Sequence, residues 1–307
     1  MIKIDNLTKV FPNGKGIFDV SFEVKQGEVF GYLGPNGAGK STTIRQLMGF
    51  SKPTNGAAFI NEKNVWKESG TILKHVGYLP GEITFLEGMT GFEFIELMEG
   101  MRGTKDVSLR NKLIERFQFD PKTPIRKMSK GMKQKVAIVT AFMHDPGVLI
   151  LDEPTSGLDP LMQRVFIELI LEEKNKGKTI LMSSHSFHEI ERTCDVVGII
   201  KDGKIVAIED SKTVLRKQRK VFDVQVHSLE DAEKLHSLKL NEMIIAEHEL
   251  TFSFAVTGNP NSFIQALSGV NVTNLSVRTQ DLEELFMHYY DRKVAIEDEP
   301  LLNKSNV

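Results

Sequence analysis

The sequence predicts an α/β fold that carries a second, smaller α+β domain. Two continuous apolar runs, residues 29–33 and 148–151, have the length and composition of buried strands. Each run is followed by a segment whose apolar residues have helical spacing. Beyond residue 220 the pattern changes to β-α-β-β-α-β and a final helix, an order that suits a ferredoxin-like domain. A chain of 307 residues also exceeds what one hydrophobic core usually supports.

The composition is that of a globular protein in a reducing compartment. The chain has 39 basic and 41 acidic residues, and this net charge of −2 gives no reason to expect a nucleic acid partner. The single cysteine, Cys194, argues against internal disulfides, and the apolar residues 196–200 beside it favour a packing role. No signal segment is visible, and no stretch approaches the roughly 18 to 20 apolar residues of a membrane span. We therefore expect a cytoplasmic protein that reaches a membrane only through a partner.

The first domain is predicted over residues 1–212. Alternating apolar and polar positions in its first ~30 residues predict antiparallel strands. Helical spacing over 91–117 and 130–142 predicts a helical subdomain at about residues 88–142. The other expected elements are strands at 56–60, 75–79, 178–183, 196–200 and 205–208 and helices at 160–176 and 186–193.

The second domain is predicted over residues 213–292. Basic residues cluster between 212 and 220, which indicates a linker or a solvated helix face. The expected strands are 221–227, 242–247, 250–256 and 270–278, and the expected helices are 229–238, 260–268 and 281–290. The polar tail, residues 293–307, has little to bury, and we expect it to be flexible.

Residues 34–41 have the spacing Gly-x-x-x-x-Gly-Lys-Ser of a phosphate-binding loop. Glycines let the backbone turn its N–H groups inward toward a triphosphate. Lys40 would reach the β- and γ-phosphates, and the Ser41 hydroxyl would ligate Mg²⁺. An ordinary glycine turn is the alternative. The apolar run before the loop and the helical segment after it favour nucleoside triphosphate binding.

Two adjacent carboxylates, Asp152 and Glu153, follow the second apolar run. At the end of a buried strand, Asp152 would assist the Mg²⁺ shell and Glu153 would polarise a water against the γ-phosphate. Such a pair is also found as a solvated or helix-capping group. The phosphate-binding loop upstream favours the catalytic interpretation.

Three weaker signals occur in a specific order. Ser129 and Gly131 precede a predicted helix, residues 156–159 read Ser-Gly-Leu-Asp, and His185 follows a predicted strand. Alone, the serine would be a helix N-cap and the histidine a structural residue. With the loop and the carboxylates, their order becomes specific.

Over residues 1–212 the chain resembles the ATP-binding subunit of ABC transporters. The resemblance implies a P-loop NTPase core with an antiparallel β subdomain and a helical subdomain, and ATP and Mg²⁺ as cofactors. It places Ser129, Lys130 and Gly131 in the signature loop, Asp159 in the D-loop and His185 at the switch position. The residues implied to bind ATP are Phe11, Asn36, Gly37, Gly39, Lys40, Ser41, Thr42, Ser129, Gly131 and Asp159; Ser41 and Asp152 are implied to hold the metal, and Glu153, His185 and Lys40 to act in catalysis.

Members of this family work as head-to-tail pairs, which implies a dimer with two ATP molecules at its seam. The signature loop of one subunit then covers the ATP on the phosphate-binding loop of the other. Phe11 looks like the aromatic residue that stacks on adenine, although a core phenylalanine is the alternative.

Two positions depart from the family pattern. The usual glutamine after a Tyr-Leu-Pro-like stretch is replaced by Gly81 and Glu82, so that Glu82 or water would take its place at the metal. The usual signature Leu-Ser-Gly-Gly-Gln is here Met-Ser-Lys-Gly-Met, which adds the cation of Lys130. We expect this cation to lie near the γ-phosphate and to strengthen the closed dimer.

The Leu-Pro-Gly-Glu stretch at 79–82 and the acidic–apolar residues 281–286 resemble the branch associated with multidrug, antibiotic or lipid export. That branch uses a separate membrane-spanning permease and a second copy or a paralogous ATPase subunit, which would hold this chain on the inner face of the membrane. A soluble ABC-type ATPase acting on the ribosome or DNA is the alternative, and a non-hydrolysing regulator is a third.

Overall fold

The computed structural model describes residues 1–103, 106–211, 220–237, 243–248, 250–256 and 260–279. The chain divides into two compact units, Met1–Thr213 and Val214–Val307. Most of the predicted basic linker, the predicted helix 281–290 with its acidic–apolar residues, and the predicted flexible tail lie outside the described residues.

The first unit contains the strands and helices that the sequence predicts, with two short additions. Its strands are β1 (Ile2–Val10), β2 (Gly16–Val24), β3 (Val29–Leu33), β4 (Asn55–Ile60), β5 (Lys63–Asn64), β6 (Val76–Leu79), β7 (Val148–Asp152), β8 (Thr179–Ser184), β9 (Val196–Lys201) and β10 (Lys204–Asp210). Its helices are α1 (Lys40–Leu47), α2 (Ser69–Ile72), α3 (Gly91–Arg102), α4 (Ser108–Phe117), α5 (Lys130–Phe142), α6 (Pro160–Asn175) and α7 (Phe187–Thr193). The short elements β5 and α2 are additions to the sequence prediction.

A four-stranded antiparallel sheet has the order β2-β1-β4-β5. Alternate residues of β1 and β2, such as Ile2, Ile4 and Val20, are buried, because successive side chains of a strand point to opposite faces. Phe22 of this sheet stacks on Phe30 of β3 at a centroid distance of 4.6 Å. The predicted antiparallel β subdomain therefore shares its core with the central sheet.

The central sheet has the order β10-β9-β3-β8-β7-β6, and only β10 among these six strands runs antiparallel to its neighbour. Every residue of β3, β7 and β8 is buried, as their continuous apolar runs predict. Because parallel strands end at one edge of a sheet, the segments that follow β3, β7 and β8 lie at the same edge. That edge contains the candidate site.

The helices α3, α4 and α5 form the predicted helical subdomain. Thr90 begins α3 with a capping box: its hydroxyl accepts from Glu93 N at 3.2 Å, and its own N–H donates to Glu93 Oε2 at 2.7 Å. Gly103 ends this helix in the left-handed conformation, with φ at 68°. The capping box and the left-handed glycine therefore explain where α3 begins and ends.

Cys194 lies buried at the end of α7, against β3. A Cβ at Gly31 would lie 2.8 Å from the Cys194 sulfur. Burial raises the pKa of the thiol to about 12, so it stays protonated at neutral pH. This environment agrees with the predicted packing role.

The second unit is a four-stranded antiparallel sheet with helices packed on it. Its elements are β11 (Lys220–Val226), α8 (Leu229–Ser237), β12 (Met243–His248), β13 (Thr251–Val256), α9 (Asn261–Leu267) and β14 (Val272–Thr279). The sheet order β12-β13-β11-β14 is the ferredoxin-like order of a β-α-β-β-α-β segment. Phe222, Phe254 and Phe263 form the centre of its own core.

Candidate active site

The loop between β3 and α1 forms the floor of a surface cleft. Gly37 and Gly39 have φ angles of 82° and 114°, which residues with a Cβ adopt rarely. A Cβ at Gly39 would also lie 2.7 Å from Ile17. We call this the phosphate cleft; its lining consists of Phe11, Lys15, Gly16, Pro35, Asn36, Gly37, Gly39, Lys40, Ser41, Thr42 and Glu153. The residues predicted from the loop motif therefore surround one space.

Phe11 lies on the rim of the phosphate cleft, in the turn between β1 and β2. Its N–H donates to Lys15 O at 2.8 Å, which closes the turn. The residue is 41% exposed. This exposure excludes the alternative that Phe11 is a core residue, and it leaves the aromatic face available to a base.

Lys40 is the first residue of α1, and only 5% of it is exposed. Its ammonium donates to Gly34 O at 2.6 Å and lies 3.1 Å from Glu153 Oε1. A buried cation needs such partners to offset its lost hydration. The positive charge is therefore held at the helix N-terminus, where the helix dipole also favours an anion.

Asp152 and Glu153 point in different directions at the end of β7. Asp152 is 3% exposed, and its Oδ1 accepts a hydrogen bond from Ser183 Oγ at 2.5 Å. Glu153 has a left-handed backbone with φ at 48°, and its N–H donates to Ser183 Oγ at 3.1 Å. This backbone turn directs the second carboxylate into the phosphate cleft.

Glu153 contacts the other two predicted catalytic residues, Lys40 and His185. Its Oε2 lies 2.5 Å from His185 Nδ1, while its Oε1 faces the Lys40 ammonium. His185 comes directly after β8, and 64% of its side chain is exposed. The sheet order explains the contact, because β7 and β8 are neighbours whose ends lie side by side.

The signature and D-loop residues lie together but outside the lining of the phosphate cleft. Ser129 caps α5 by accepting from Met132 N at 3.2 Å, and Asp159 caps α6 by accepting from Met162 N at 3.0 Å. A Cβ at Gly131 would lie 2.7 Å from Gly157 O. Ser129, Gly131 and Asp159 are therefore not among the residues that line the phosphate cleft of their own chain.

Lys130 contacts the segment that precedes α6. Its Nζ donates to Ser156 Oγ at 2.9 Å, and its aliphatic stem crosses Gly157, where a Cβ would lie 2.9 Å from Lys130 Cγ. The side chain thus links the signature loop to the D-loop within one protomer.

Gly81 lies beside Asp152. A Cβ at this position would be 3.0 Å from Asp152 Oδ2. A side chain at this position would therefore begin in tight contact with the Asp152 carboxylate. Glu82, the alternative ligand from the sequence, is exposed.

The oxygen atoms of Ser41 and Asp152 suit Mg²⁺, which prefers hard oxygen ligands and keeps several waters. Within the described part of the chain, no group of three or more His, Cys, Asp or Glu side chains could hold a metal ion.

Sequence reasoning missed two residues that position the site. Ser183 bonds both Asp152 and the Glu153 backbone, and Gln134 donates to Pro154 O at 2.6 Å. The signal available for each was a polar residue on a buried element: Ser183 is the last but one residue of β8, and Gln134 lies among the apolar residues of α5.

Comparisons with known proteins agree on one family. Residues 17–156 match the family model described as ABC transporter. The bacitracin transport ATP-binding protein BcrA of Bacillus licheniformis is 32% identical over 300 residues, which cover 94% of this chain and 96% of that protein. The linearmycin resistance ATP-binding protein LnrL of Bacillus subtilis (strain 168) is 29% identical over 308 residues, which cover 95% of this chain and 99% of that protein. A solved structure described as the ATP binding subunit of an ABC transporter is 32% identical, with a TM-score of 0.65 and coverage of 71% of this chain and 92% of that chain.

Proposed function

Because the chain belongs to the ABC transporter family as an ATP-binding and ATP-hydrolysing subunit, we propose that ATP closes two copies of it head to tail and so drives export through a separate permease. Residues 1–212 are the ATP-binding domain in this proposal, and 213–292 are an accessory domain. The observation that carries it is the contact of Lys40, Glu153 and His185 at the phosphate cleft.

ATP binding uses the lining of the phosphate cleft. Adenine stacks on the exposed face of Phe11, and the triphosphate lies along the loop N–H groups at the N-terminus of α1. Lys40 moves from Glu153 toward the β- and γ-phosphates, because these carry more negative charge than one carboxylate. Ser41 and Asp152 would hold Mg²⁺, which would supply positive charge against the phosphates when bound.

Hydrolysis depends on Glu153. Once Lys40 contacts the phosphates, Glu153 is left to accept a hydrogen bond from water and to orient that water toward the γ-phosphorus. His185 Nδ1 lies 2.5 Å from the same carboxylate. In the ATP complex this side chain would contact a γ-phosphate oxygen. The water attacks the γ-phosphorus and gives a proton to Glu153. The bond from that phosphorus to the oxygen that bridges it to the β-phosphate breaks, and ADP and inorganic phosphate result.

The second copy, or a paralogous ATPase subunit, supplies what the phosphate cleft lacks. Ser129, Gly131 and Asp159 are outside the lining of their own cleft, although the family resemblance assigns them to ATP. In a head-to-tail dimer, Ser129 and Gly131 of one chain cover the γ-phosphate in the other. The dimer is therefore the working unit.

An apolar groove is the proposed docking surface for the permease. Two residues of the groove are prominently exposed: Phe50 is 56% exposed and Met101 is 75% exposed. Exposed apolar patches of this kind mark protein–protein contacts. The apolar lining includes Met48, Phe50, Leu73, Val76, Tyr78, Phe94, Met98 and Met101. No helix in the described residues is long and apolar enough to cross a membrane.

Antibiotic-type export is the proposed task, and it is supported by the names of the two relatives that match over nearly their full length. The same relatives do not favour a soluble ATPase acting on the ribosome or DNA. The proposed location is the inner face of the membrane, where the permease holds the chain.

The test is Glu153→Gln with ATP and Mg²⁺. We expect ATP affinity to be kept, turnover to fall by about 10²- to 10⁴-fold, and a dimer of twice the 34.6 kDa protomer to accumulate in sedimentation. Glu62→Gln, at an exposed turn residue, is the control and should behave as wild type. Wild-type turnover in Glu153→Gln, or hydrolysis at full rate by a protomer that never associates, would contradict the proposal.

A further inference from the structure

A buried carboxylate without a role in the proposed mechanism lies next to the site. Glu189 is in the first turn of α7, and it is 5% exposed. Glutamate is almost never fully buried unless it is paired. The contacts of Glu189 therefore indicate why it is there.

Both oxygens of Glu189 accept hydrogen bonds from hydroxyl groups on different segments. Thr155 Oγ1 donates to Oε1, and Ser184 Oγ donates to Oε2 at 2.9 Å. Ser184 Oγ in turn accepts from Ser186 N at 2.9 Å. Thr155 and Ser184 are themselves 6% and 1% exposed, so solvent cannot replace these bonds.

The bridged segments are the two that carry the catalytic pair. Thr155 lies two residues after Glu153, and Ser184 lies directly before His185. Glu189 therefore joins the loop after β7 to the end of β8 in the interior of the protein. The Glu153–His185 contact of 2.5 Å joins the same two segments at the surface.

The cost of this bridge argues for a purpose. Burial raises the pKa of Glu189, the hydrogen bonds from Thr155 and Ser184 lower it, and the negative charge of Glu153 raises it again. An apolar side chain of similar size would fill the same space without the desolvation penalty. Such a side chain could not accept the hydrogen bonds of the Thr155 and Ser184 hydroxyl groups.

The loop after β7 needs such anchors. Glu153 has φ at 48°, a conformation that residues other than glycine adopt rarely. Its backbone is held by Ser183 on one side, and Gln134 holds Pro154 O on another. Thr155 is the next residue along the loop, and its side chain is fixed by Glu189.

We propose that Glu189 is a positioning residue that holds Glu153 and His185 at their contact distance by bridging Thr155 and Ser184. It touches neither the phosphate cleft nor the reacting atoms. The inference deepens the proposed function and rests on it, because the contact it maintains is the one assigned to hydrolysis.

The variants Glu189→Gln and Glu189→Leu separate bridging from space filling. Glutamine can accept from one hydroxyl and donate to the other, whereas leucine can do neither. We expect Glu189→Leu to shift the ¹⁵N resonance of His185 Nδ1, assigned with His185→Asn, and to lower kcat about tenfold or more while the ATP Kd stays unchanged. Glu189→Gln should restore both values.

Two further variants keep the test decisive. Thr155→Val removes one bond only and should shift the His185 resonance in the same direction if Glu189→Leu fails to fold. Glu173→Leu, at a buried carboxylate paired with Lys176 and Lys178, is the control for lost stability and should leave the His185 resonance in place.

The proposal is overturned if Glu189→Leu and Thr155→Val both leave the His185 resonance at its wild-type position. The resonance is measured without turnover. A protein that binds ATP but never hydrolyses it would therefore refute the proposed function and still test the bridge.

Discussion

At the scale of single residues, the site depends on one carboxylate with two neighbours. Lys40, Glu153 and His185 come from three separate places in the chain, and the ends of neighbouring strands bring them within 3.1 Å and 2.5 Å of each other. The loop motif predicts that Lys40 binds phosphate. Its contact with Glu153 depends on the tertiary fold, because no spacing in the sequence joins residues 40 and 153.

Lys40→Met should weaken ATP binding. The variant keeps the buried stem but loses the ammonium, and a hydrogen bond to a charged group is worth about 1.5–3 kcal/mol, which corresponds to roughly ten- to hundredfold in Kd. Titration calorimetry measures the change, with exposed Lys63→Met as the control. An unchanged Kd would remove Lys40 from phosphate binding.

Phe11→Ala should weaken binding of ATP but not of inorganic tripolyphosphate. Stacking of a base on an aromatic ring is worth ~1–3 kcal/mol, and tripolyphosphate has no base. Phe50→Ala removes another exposed phenylalanine outside the phosphate cleft and serves as the control. If Phe11→Ala loses the same affinity for ATP and for tripolyphosphate, the ring acts on the phosphate-binding loop and not on adenine.

At the scale of elements, helix N-termini determine where the polar loops lie. Ser129 and Asp159 cap α5 and α6, so the signature loop and the D-loop are ordered by their own helices. The sequence predicts both starts, because a serine or an aspartate precedes each helical pattern. It does not predict that the two loops touch through Lys130, Ser156 and Gly157.

Lys130→Gly should weaken ATP-driven dimerisation, because the signature loop loses its link to the D-loop. Comparison with Lys130→Met tests the cause, since methionine keeps an aliphatic stem over Gly157 and loses only the charge. If Lys130→Met dimerises as wild type while Lys130→Gly does not, packing is the cause. A dimer constant that neither variant changes would refute any role for Lys130 in closure.

Met101→Glu should abolish co-purification with a membrane protein from the neighbouring reading frame and leave ATP affinity unchanged. The charge would lie in the apolar groove, where a partner could not satisfy it. Leu229→Glu, at a residue 72% exposed in the second unit, is the control. If Met101→Glu and wild type recover the same amount of membrane protein, the groove is not the docking surface.

At the scale of the whole molecule, the chain has two units with separate cores. Every residue that lines the phosphate cleft belongs to the first unit. ATP should therefore stabilise that unit, because a ligand that binds only the folded state adds about 2.7 kcal/mol at a hundred times its Kd.

Differential scanning calorimetry of the full chain should therefore show two unfolding transitions. ATP should raise the midpoint temperature of one of them. Phe263→Ala should lower the midpoint temperature of the other transition, since replacing a buried phenylalanine by alanine costs about 3–5 kcal/mol of stability. Phe142→Ala, in the core of the first unit, should lower the ATP-sensitive transition instead. A single transition that both variants and ATP shift alike would refute separate unfolding.

The sequence by itself determined the elements and most of the chemical groups of this protein. Apolar runs, glycine spacing and caps act over a few residues, so the phosphate-binding loop, the strand ends and the order of the ferredoxin-like unit follow from local patterns. Only the tertiary structure decided which groups meet. The Glu153–His185 contact, the place of Ser183 and the Glu189 bridge arise because parallel strands distant in the chain end side by side, and a sequence pattern has no means to record that proximity.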